Sequence, residues 1–209
     1  MRLVTFREGN ADRIGARSGD QIIDLSTADS SIPSDMRSFL EAGEPALSAA
    51  SKAVALGGSS FSANDVKILA PISNPEKVVC IGLNYADHAA ESGMDIPPEP
   101  VVFSKYASAI IGPGDTIKLP PSSNEPDYEV ELVVVIGKSG FNISQTDAMN
   151  HVAGYTVGHD VSARDYQLQK PAGQWMMGKT FDTFAPIGPD LVTADEVGDP
   201  NDLGIRCIL

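Results

Sequence analysis

The sequence predicts an α+β fold that is mostly β. Two observations lead to this prediction. Short apolar, β-branched runs recur between turn signals along most of the chain, and only a few segments have the spacing of a helix. The character of the chain also changes around residues 71–75, which are rich in proline. We therefore predict a small N-terminal unit over residues 1–70 and a larger domain over residues 71–209.

The N-terminal unit is predicted to combine strands with helices, as a small α/β unit. Strand patterns at residues 3–6, 13–16 and 21–25 are separated by Gly- and Asp-containing turn signals. Helical patterns follow at residues 36–40 and 46–56, and the Gly57-Gly58 pair is expected to end the second.

The larger domain is predicted to consist mostly of strands, with a short helix at residues 84–91 and further helical turns at residues 146–152 and 162–168. The predicted strands cover residues 78–81, 101–105, 116–119, 128–136, 155–160 and 205–209.

Composition excludes several classes of partner. The chain has 15 Lys and Arg against 28 Asp and Glu, a formal net charge of −13. Such a chain repels phosphate backbones and anionic lipid, so we expect neither nucleic acid nor membrane as a partner. Acidic residues interrupt the arginines near the N-terminus, and we expect a cytoplasmic protein, with a mitochondrial one as the alternative.

Glu129 and Glu131 stand two residues apart in an otherwise apolar run. Because strand side chains alternate between faces, both carboxylates project on the same side. The solvated face of an edge strand would also explain this pattern. However, residues 132–136 continue without alternation, which indicates burial on both faces and favours a cation between the carboxylates.

Asp160 is the natural third ligand, because it stands at the end of the strand at residues 155–160, although it would also suit a helix N-cap. Three carboxylates suit a hard cation, Mg²⁺ first, with Ca²⁺ or Mn²⁺ as alternatives. The absence of a Cys or His cluster in the sequence argues against zinc.

His88 and Glu91 stand three apart on the predicted short helix and therefore share a face. A histidine oriented by a carboxylate is a suitable general base near neutral pH, while a solvated helix face would give the same spacing. Four polar residues lie close in sequence to the strands already described, and each taken alone is typical of a surface position: Lys105, Arg164, Gln167 and Lys179.

Six separated motifs resemble, in order and spacing, those of the fumarylacetoacetate hydrolase family, and the N-terminal unit resembles that of the family's domain-containing proteins. The motifs are Ile81-Gly-Leu-Asn-Tyr85, His88 with Glu91, Phe103-Ser-Lys105, Asp127-Tyr-Glu-Val-Glu131, His159-Asp-Val-Ser-Ala-Arg-Asp165 and Gly178-Lys-Thr-Phe-Asp182. The resemblance implies a mixed β-sandwich roll of the family's C-terminal type, usually assembled as a homodimer. Family members continue beyond the position of Leu209, so we expect this chain to be C-terminally incomplete.

The resemblance also implies roles for the candidate residues. Glu129, Glu131 and Asp160 would hold Mg²⁺, and His88, paired with Glu91, would activate water or move a proton. Lys179 would polarise the substrate oxygen. The residues expected to hold the substrate or its carboxylate are Lys105, Arg164 and Gln167.

The resemblance implies an enzyme that acts on a small keto acid. The first expectation is a Mg²⁺-dependent hydrolase that cleaves a C–C bond of an acylpyruvate or 1,3-diketo acid through a stabilised enolate. An oxaloacetate keto–enol tautomerase or decarboxylase at the same site is the alternative. A second alternative is a non-catalytic, metal-binding remnant, because the part of the family pattern after Leu209 is missing.

Overall fold

Strands dominate the computed structural model, which describes residues 1–91 and 93–209. In chain order they are β1 (Arg2–Glu8), β2 (Ala11–Ser18), β3 (Gln21–Asp24), β4 (Ser60–Ser62), β5 (Lys67–Leu69), β6 (Val78–Gly82), β7 (Val101–Lys105), β8 (Ile110–Ile111), β9 (Pro126–Asp127), β10 (Val130–Ile136), β11 (Val152–His159), β12 (Ser162–Ala163), β13 (Ala185–Pro186) and β14 (Leu191–Thr193). The prediction of a mostly β, mixed fold is confirmed.

The helices are short except for the third. They are α1 (Leu25–Ala28), α2 (Met36–Glu41), α3 (Glu44–Leu56), α4 (Ala86–Glu91), α5 (Trp175–Lys179) and α6 (Ala194–Val197). Single turns of 3₁₀-helix lie at Ala107–Ala109 and Ala148–His151, and a π-helical turn lies at Asp165–Gln169. Over the described residues, no helix has both the length and the apolar character that a membrane span requires.

One eight-stranded sheet runs through the molecule in the order β10-β11-β14-β1-β2-β3-β4, with β5 also paired to β1. The pairs β6–β7, β8–β13 and β9–β12 form two-stranded sheets. β1 and β14 are antiparallel neighbours, with Leu3 opposite Leu191. Strands from both sides of the predicted division at residues 70 and 71 thus share one sheet, and the division itself stays a prediction.

The main core lies where α1, α2 and α3 cover one face of this sheet. Its buried members include Leu3 and Ile14 from the strands and Phe39 from α2. Val135 and Ala153, from β10 and β11, pack against the same core. The core therefore extends under the strand pair that carries the candidate site residues, and it fixes that pair relative to the N-terminal strands.

Local signals in the sequence place the helix ends. Asp35 is the N-cap of α2, and its carboxylate accepts a hydrogen bond from the backbone N–H of Ser38 at 2.9 Å. Gly57 ends α3 in the left-handed conformation, with a φ of 70°. These features confirm the two helices predicted for this unit.

Two strands predicted from the sequence are absent from the part of the chain that the structure describes. Residues 116–119 and 205–209 have no regular secondary structure. Both runs have apolar residues suitable for a strand. However, a strand forms only where a neighbour completes its hydrogen bonds, and no described strand pairs with either segment.

Gly154 provides a test of the continuous sheet. It lies in β11 opposite Thr193 of β14, and a Cβ atom at this position would collide with the carbonyl oxygen of Val192. Gly154→Ala should therefore separate the two strands and lower the free energy of unfolding by about 1–3 kcal/mol or more. Denaturant unfolding measures this change. Gly204→Ala is the control, because no atom lies within 4 Å of the added Cβ, and equal stability of the two variants would contradict the close strand contact.

Candidate active site

The strand pair β10–β11 brings the three predicted carboxylates together. Val130 lies opposite His159, and the backbone N–H of Asp160 donates to the carbonyl of Glu129 at 2.8 Å. Asp160 is therefore the cross-strand neighbour of Glu129. Glu131 follows two residues later and projects from the same face. The fold thus places Glu129 beside Asp160, with Glu131 two residues further along the same chain segment, and their shared role as ligands stays a prediction.

Lys179 lies between two of these carboxylates. Its Nζ donates to Glu129 Oε2 at 2.6 Å and to Asp160 Oδ2 at 3.0 Å. The lysine side chain is only 2% exposed. A buried ammonium requires such partners, because its removal from water is otherwise too costly. The two ion pairs therefore hold the end of α5 against the strand pair.

Close packing fixes α5 in this position. Gly178 lies so near the preceding segment that a Cβ atom would come within 2.7 Å of the Ala163 carbonyl oxygen and of the Gln167 backbone nitrogen. At the other end of α5, Trp175 packs edge-on against Phe103 of β7, with ring centroids 5.8 Å apart. Lys179 thus enters the carboxylate cluster from a helix that contacts two other parts of the site.

Lys105, at the end of β7, provides a second buried ammonium. Its Nζ donates to Asp160 Oδ1 and, at 3.2 Å, to the carbonyl of Val161. Burial lowers the pKa of the Lys105 amine, while the adjacent Asp160 carboxylate opposes this change. Both oxygens of Asp160 are therefore bound to lysines.

Arg164 provides a third cationic partner for the carboxylate cluster. Its Nη1 donates to Glu129 Oε1 at 2.6 Å and to Gln167 Oε1 at 2.9 Å, and its Nε donates to Asp127 Oδ2 at 2.9 Å. Gln167 is buried in the π-helical turn. Arg164 and Gln167, predicted to hold substrate, lie at the cluster, and here they contact each other and the protein's own carboxylates.

Glu131 is the carboxylate without a cationic partner. Among the described residues no salt bridge reaches it, in contrast to Glu129 and Asp160. Burial, together with the neighbouring negative charges of Glu129 and Asp160, raises the pKa of Glu131 to about 7. Within the described chain, the carboxylate of Glu131 therefore lacks a positive charge beside it.

His88 and Glu91 lie on α4, as predicted from the sequence. His88 is half-buried and Glu91 is exposed. Within the described residues no hydrogen bond joins these two side chains, and none joins either of them to the carboxylate cluster. The helix nevertheless approaches the cluster, because the hydroxyl oxygen of Tyr85, just before α4, accepts the backbone N–H of Leu132 at 3.0 Å.

Three residues at the cluster were not selected from the sequence. Tyr85 lies beside Glu131, Asp127 binds Arg164, and Cys80 of β6 lies near the lysines, where burial raises the pKa of its thiol to about 12. Asp127 had a usable signal, because it extends the alternation of Glu129 and Glu131 by one step. Tyr85 ends the motif at residues 81–85 that resembles the family pattern, whereas nothing in the pattern around Cys80 indicated its position.

The chemistry of this donor set suits a divalent cation. Glu129, Glu131 and Asp160 offer the hard oxygen ligands that such a cation prefers. In the described part of the chain, Glu131, unlike Asp160, has no cationic side chain beside it to balance its charge. In the arrangement described, no three His, Cys, Asp or Glu side chains form a ready metal cage among residues 1–91 and 93–209. Lys179 occupies the position between Glu129 and Asp160.

Comparison with known proteins gives matches along almost the whole chain. The family model described as "Fumarylacetoacetate (FAA) hydrolase C-terminal" matches residues 77–209. The relative named "Oxaloacetate tautomerase fahd2, mitochondrial" from Xenopus laevis is 53% identical over 211 residues, covering 99% of this chain and 66% of the relative. The chain thus spans about two thirds of the length of that relative.

Two solved structures are similar over 96% of this chain. A putative HpcE protein from Mycobacterium smegmatis has a TM-score of 0.81 and 39% identity, with 69% of its chain covered. A maleylpyruvate hydrolase from Sphingobium sp. SYK-6, in complex with manganese(II) and pyruvate, has a TM-score of 0.77 and 29% identity, with 70% of its chain covered.

Proposed function

The chain belongs to the fumarylacetoacetate hydrolase family, and we propose on that premise that it interconverts the keto and enol forms of oxaloacetate. The observation that carries the proposal is the 53% identity to a relative named as an oxaloacetate tautomerase. The family resemblance placed C–C bond hydrolysis first and this tautomerisation second. The similar curated proteins favour the second, so we adopt it as the main proposal.

The carboxylate cluster would hold a divalent cation, and we propose Mg²⁺ at Glu129, Glu131 and Asp160. Support comes from the uncompensated charge at Glu131 and from the manganese(II) in the name of a structural neighbour. When bound, the cation would neutralise negative charge that develops on the oxygens of the keto acid.

Tautomerisation moves one proton between C3 and the oxygen on C2, and we assign the carbon side of this transfer to His88. Its imidazole takes the C3 proton and returns it in the reverse direction. Glu91, three residues further along α4, would orient the ring by accepting a hydrogen bond from it. The Lys179 ammonium would hydrogen-bond to the C2 oxygen with the N–H that does not contact Glu129 or Asp160. The proton taken from C3 thus reaches this oxygen through His88, and Lys179 keeps its own.

The proposal also assigns substrate binding: the carboxylates of the substrate would be bound by Lys105, Arg164 and Gln167. Lys105 and Arg164 carry positive charge at opposite sides of the cluster, bound to Asp160 and Glu129 respectively. A dicarboxylate such as oxaloacetate matches two such cations better than a neutral ketone does.

Hydrolysis of an acylpyruvate is the second candidate function. The structural neighbour named as a maleylpyruvate hydrolase, in complex with pyruvate, favours it. In that case His88 would take a proton from water, which then attacks the distal carbonyl, and the C–C bond breaks. The same residues serve both reactions, and the difference lies in whether water reaches the bound keto acid.

A mitochondrial location fits this proposal, because the Xenopus laevis relative is named as mitochondrial. The expectation of a cytoplasmic protein finds no support among the similar curated proteins. The homodimer that the family resemblance implies stays a prediction.

The reaction itself is tested with enol-rich oxaloacetate. The 209-residue chain with Mg²⁺ should accelerate the loss of enol absorbance in proportion to enzyme concentration. Acylpyruvate cleavage, followed by release of the carboxylic acid, should be slow by comparison. Rapid cleavage with an uncatalysed rate of tautomerisation would favour the hydrolase, and no turnover in either assay would favour a metal-binding remnant.

The cation site is tested by thermal unfolding with Mg²⁺ and with chelator. Glu131→Gln should abolish the stabilisation by Mg²⁺, because it removes a charged ligand. For the unchanged chain, the stabilisation at a Mg²⁺ concentration 100 times the dissociation constant is about 2.7 kcal/mol. Glu99→Gln is the control, since Glu99 is exposed in a loop. Identical melting of the unchanged chain in both conditions would refute the metal assignment.

The role of His88 is tested by separating catalysis from metal binding. His88→Ala should lower the tautomerisation rate by about 10²–10⁴, the usual contribution of a general acid or base. Its Mg²⁺ affinity, measured by calorimetry, should stay close to that of the unchanged chain, and Glu91→Gln should lower the rate less. His151→Ala serves as control, because His151 precedes the opposite end of β11. Loss of Mg²⁺ binding in His88→Ala would show that the histidine is a ligand.

A further inference from the structure

Tyr85 connects the helix that carries His88 to the strand that carries the carboxylates. Its hydroxyl oxygen accepts the backbone N–H of Leu132 at 3.0 Å, in a partly buried position. Leu132 is the residue after Glu131 in β10. Tyr85 directly precedes α4, its carbonyl accepts the backbone N–H of Ala89 at 3.0 Å, and His88 follows it by three residues.

The donor in this contact belongs to a strand edge. β10 is the terminal strand of the eight-stranded order, so only its inner edge is paired with another strand, β11. The outward N–H groups of an edge strand need acceptors other than a strand. Tyr85 supplies one of them at the residue adjacent to Glu131.

The remaining contacts of α4 leave it weakly fixed. Ala89 is its buried residue. Its other polar contacts are local, such as the hydrogen bond from the His88 backbone N–H to Asp87 Oδ1. Over the described residues, Tyr85 provides the side-chain hydrogen bond that joins the region of α4 to β10, and the same hydroxyl lies beside Glu131.

We propose that Tyr85 is a positioning residue, which holds α4 and His88 against the carboxylate-bearing strand through its hydrogen bond to Leu132. This role rests on the proposed function, in which His88 moves the proton. Tyr85 itself neither binds the cation nor transfers a proton. It acts through the distance between the imidazole and the substrate bound at the cluster.

The test is Tyr85→Phe, which keeps the ring and removes only the oxygen. The kcat for tautomerisation should fall between about 10- and 100-fold, the effect of a misplacement of about 1 Å, while KM changes little. In a His88→Ala background the same substitution should have no further effect, because residues that act through one group are not additive. Tyr106→Phe is the control, since the Tyr106 side chain is exposed.

Hydrogen exchange provides a readout that does not depend on activity. Peptides covering residues 86–91 and 130–136 should exchange faster in Tyr85→Phe, and peptides from β1 and β2 should be unchanged. If Tyr85→Phe is active and its hydrogen exchange equals that of the unchanged chain, the positioning role of Tyr85 is refuted and the proposed function is not. An equal loss of rate with and without His88 would show that Tyr85 does not act through the histidine. If the unchanged chain has no tautomerase activity, but Tyr85→Phe shows the expected faster exchange, the proposed function is refuted. The effect of Tyr85 on catalysis is then refuted with it.

Discussion

The burial of several charges in one place is the constraint on which the structure of the site depends. Glu129 and Asp160 are removed from water, and each such charge is stable only beside partners of opposite sign. Lys105 and Lys179 supply these partners from β7 and α5, which are distant in sequence from the strands. The ion pairs therefore form only if these separate segments bring their charged groups within hydrogen-bond distance of one another.

β11 connects the charged cluster to the rest of the sheet. It pairs with β10 on one side and with β14 on the other, and β14 in turn pairs with β1. The core beneath α2 and α3 reaches Val135 and Ala153, at the end of the strand pair opposite to the carboxylates. A sheet with one packed face thus carries the charged cluster at its outermost strand pair, β10 and β11.

The site geometry narrows the chemistry without choosing the reaction. A cluster of carboxylates with buried ammonium groups suits a keto acid and a hard cation, and related folds carry names of both isomerases and hydrolases. A fold therefore does not specify the reaction. Under the proposed function the choice of reaction depends on which group moves the proton and on whether water enters, so α4, which carries His88, would be as important as the carboxylate cluster.

The sequence by itself determined the parts that follow from local periodicity. The alternation of residues 129–131 predicted Glu129 and Glu131 on one face, and Asp160, which directly follows β11, was predicted as the third carboxylate. Local capping residues likewise determined the ends of α2 and α3. Such features depend on neighbours two to four residues away, which a sequence shows directly.

Only the tertiary structure decided which cations meet these carboxylates and which apolar runs become strands. Lys179 lies 50 residues from Glu129 in the chain, and Tyr85 lies 47 residues from Leu132. The segment 205–209 has the composition of a strand, yet no described strand lies beside it. Ion pairs and strand hydrogen bonds both require a partner brought close by the fold, and the periodicity of one segment contains no information about that partner.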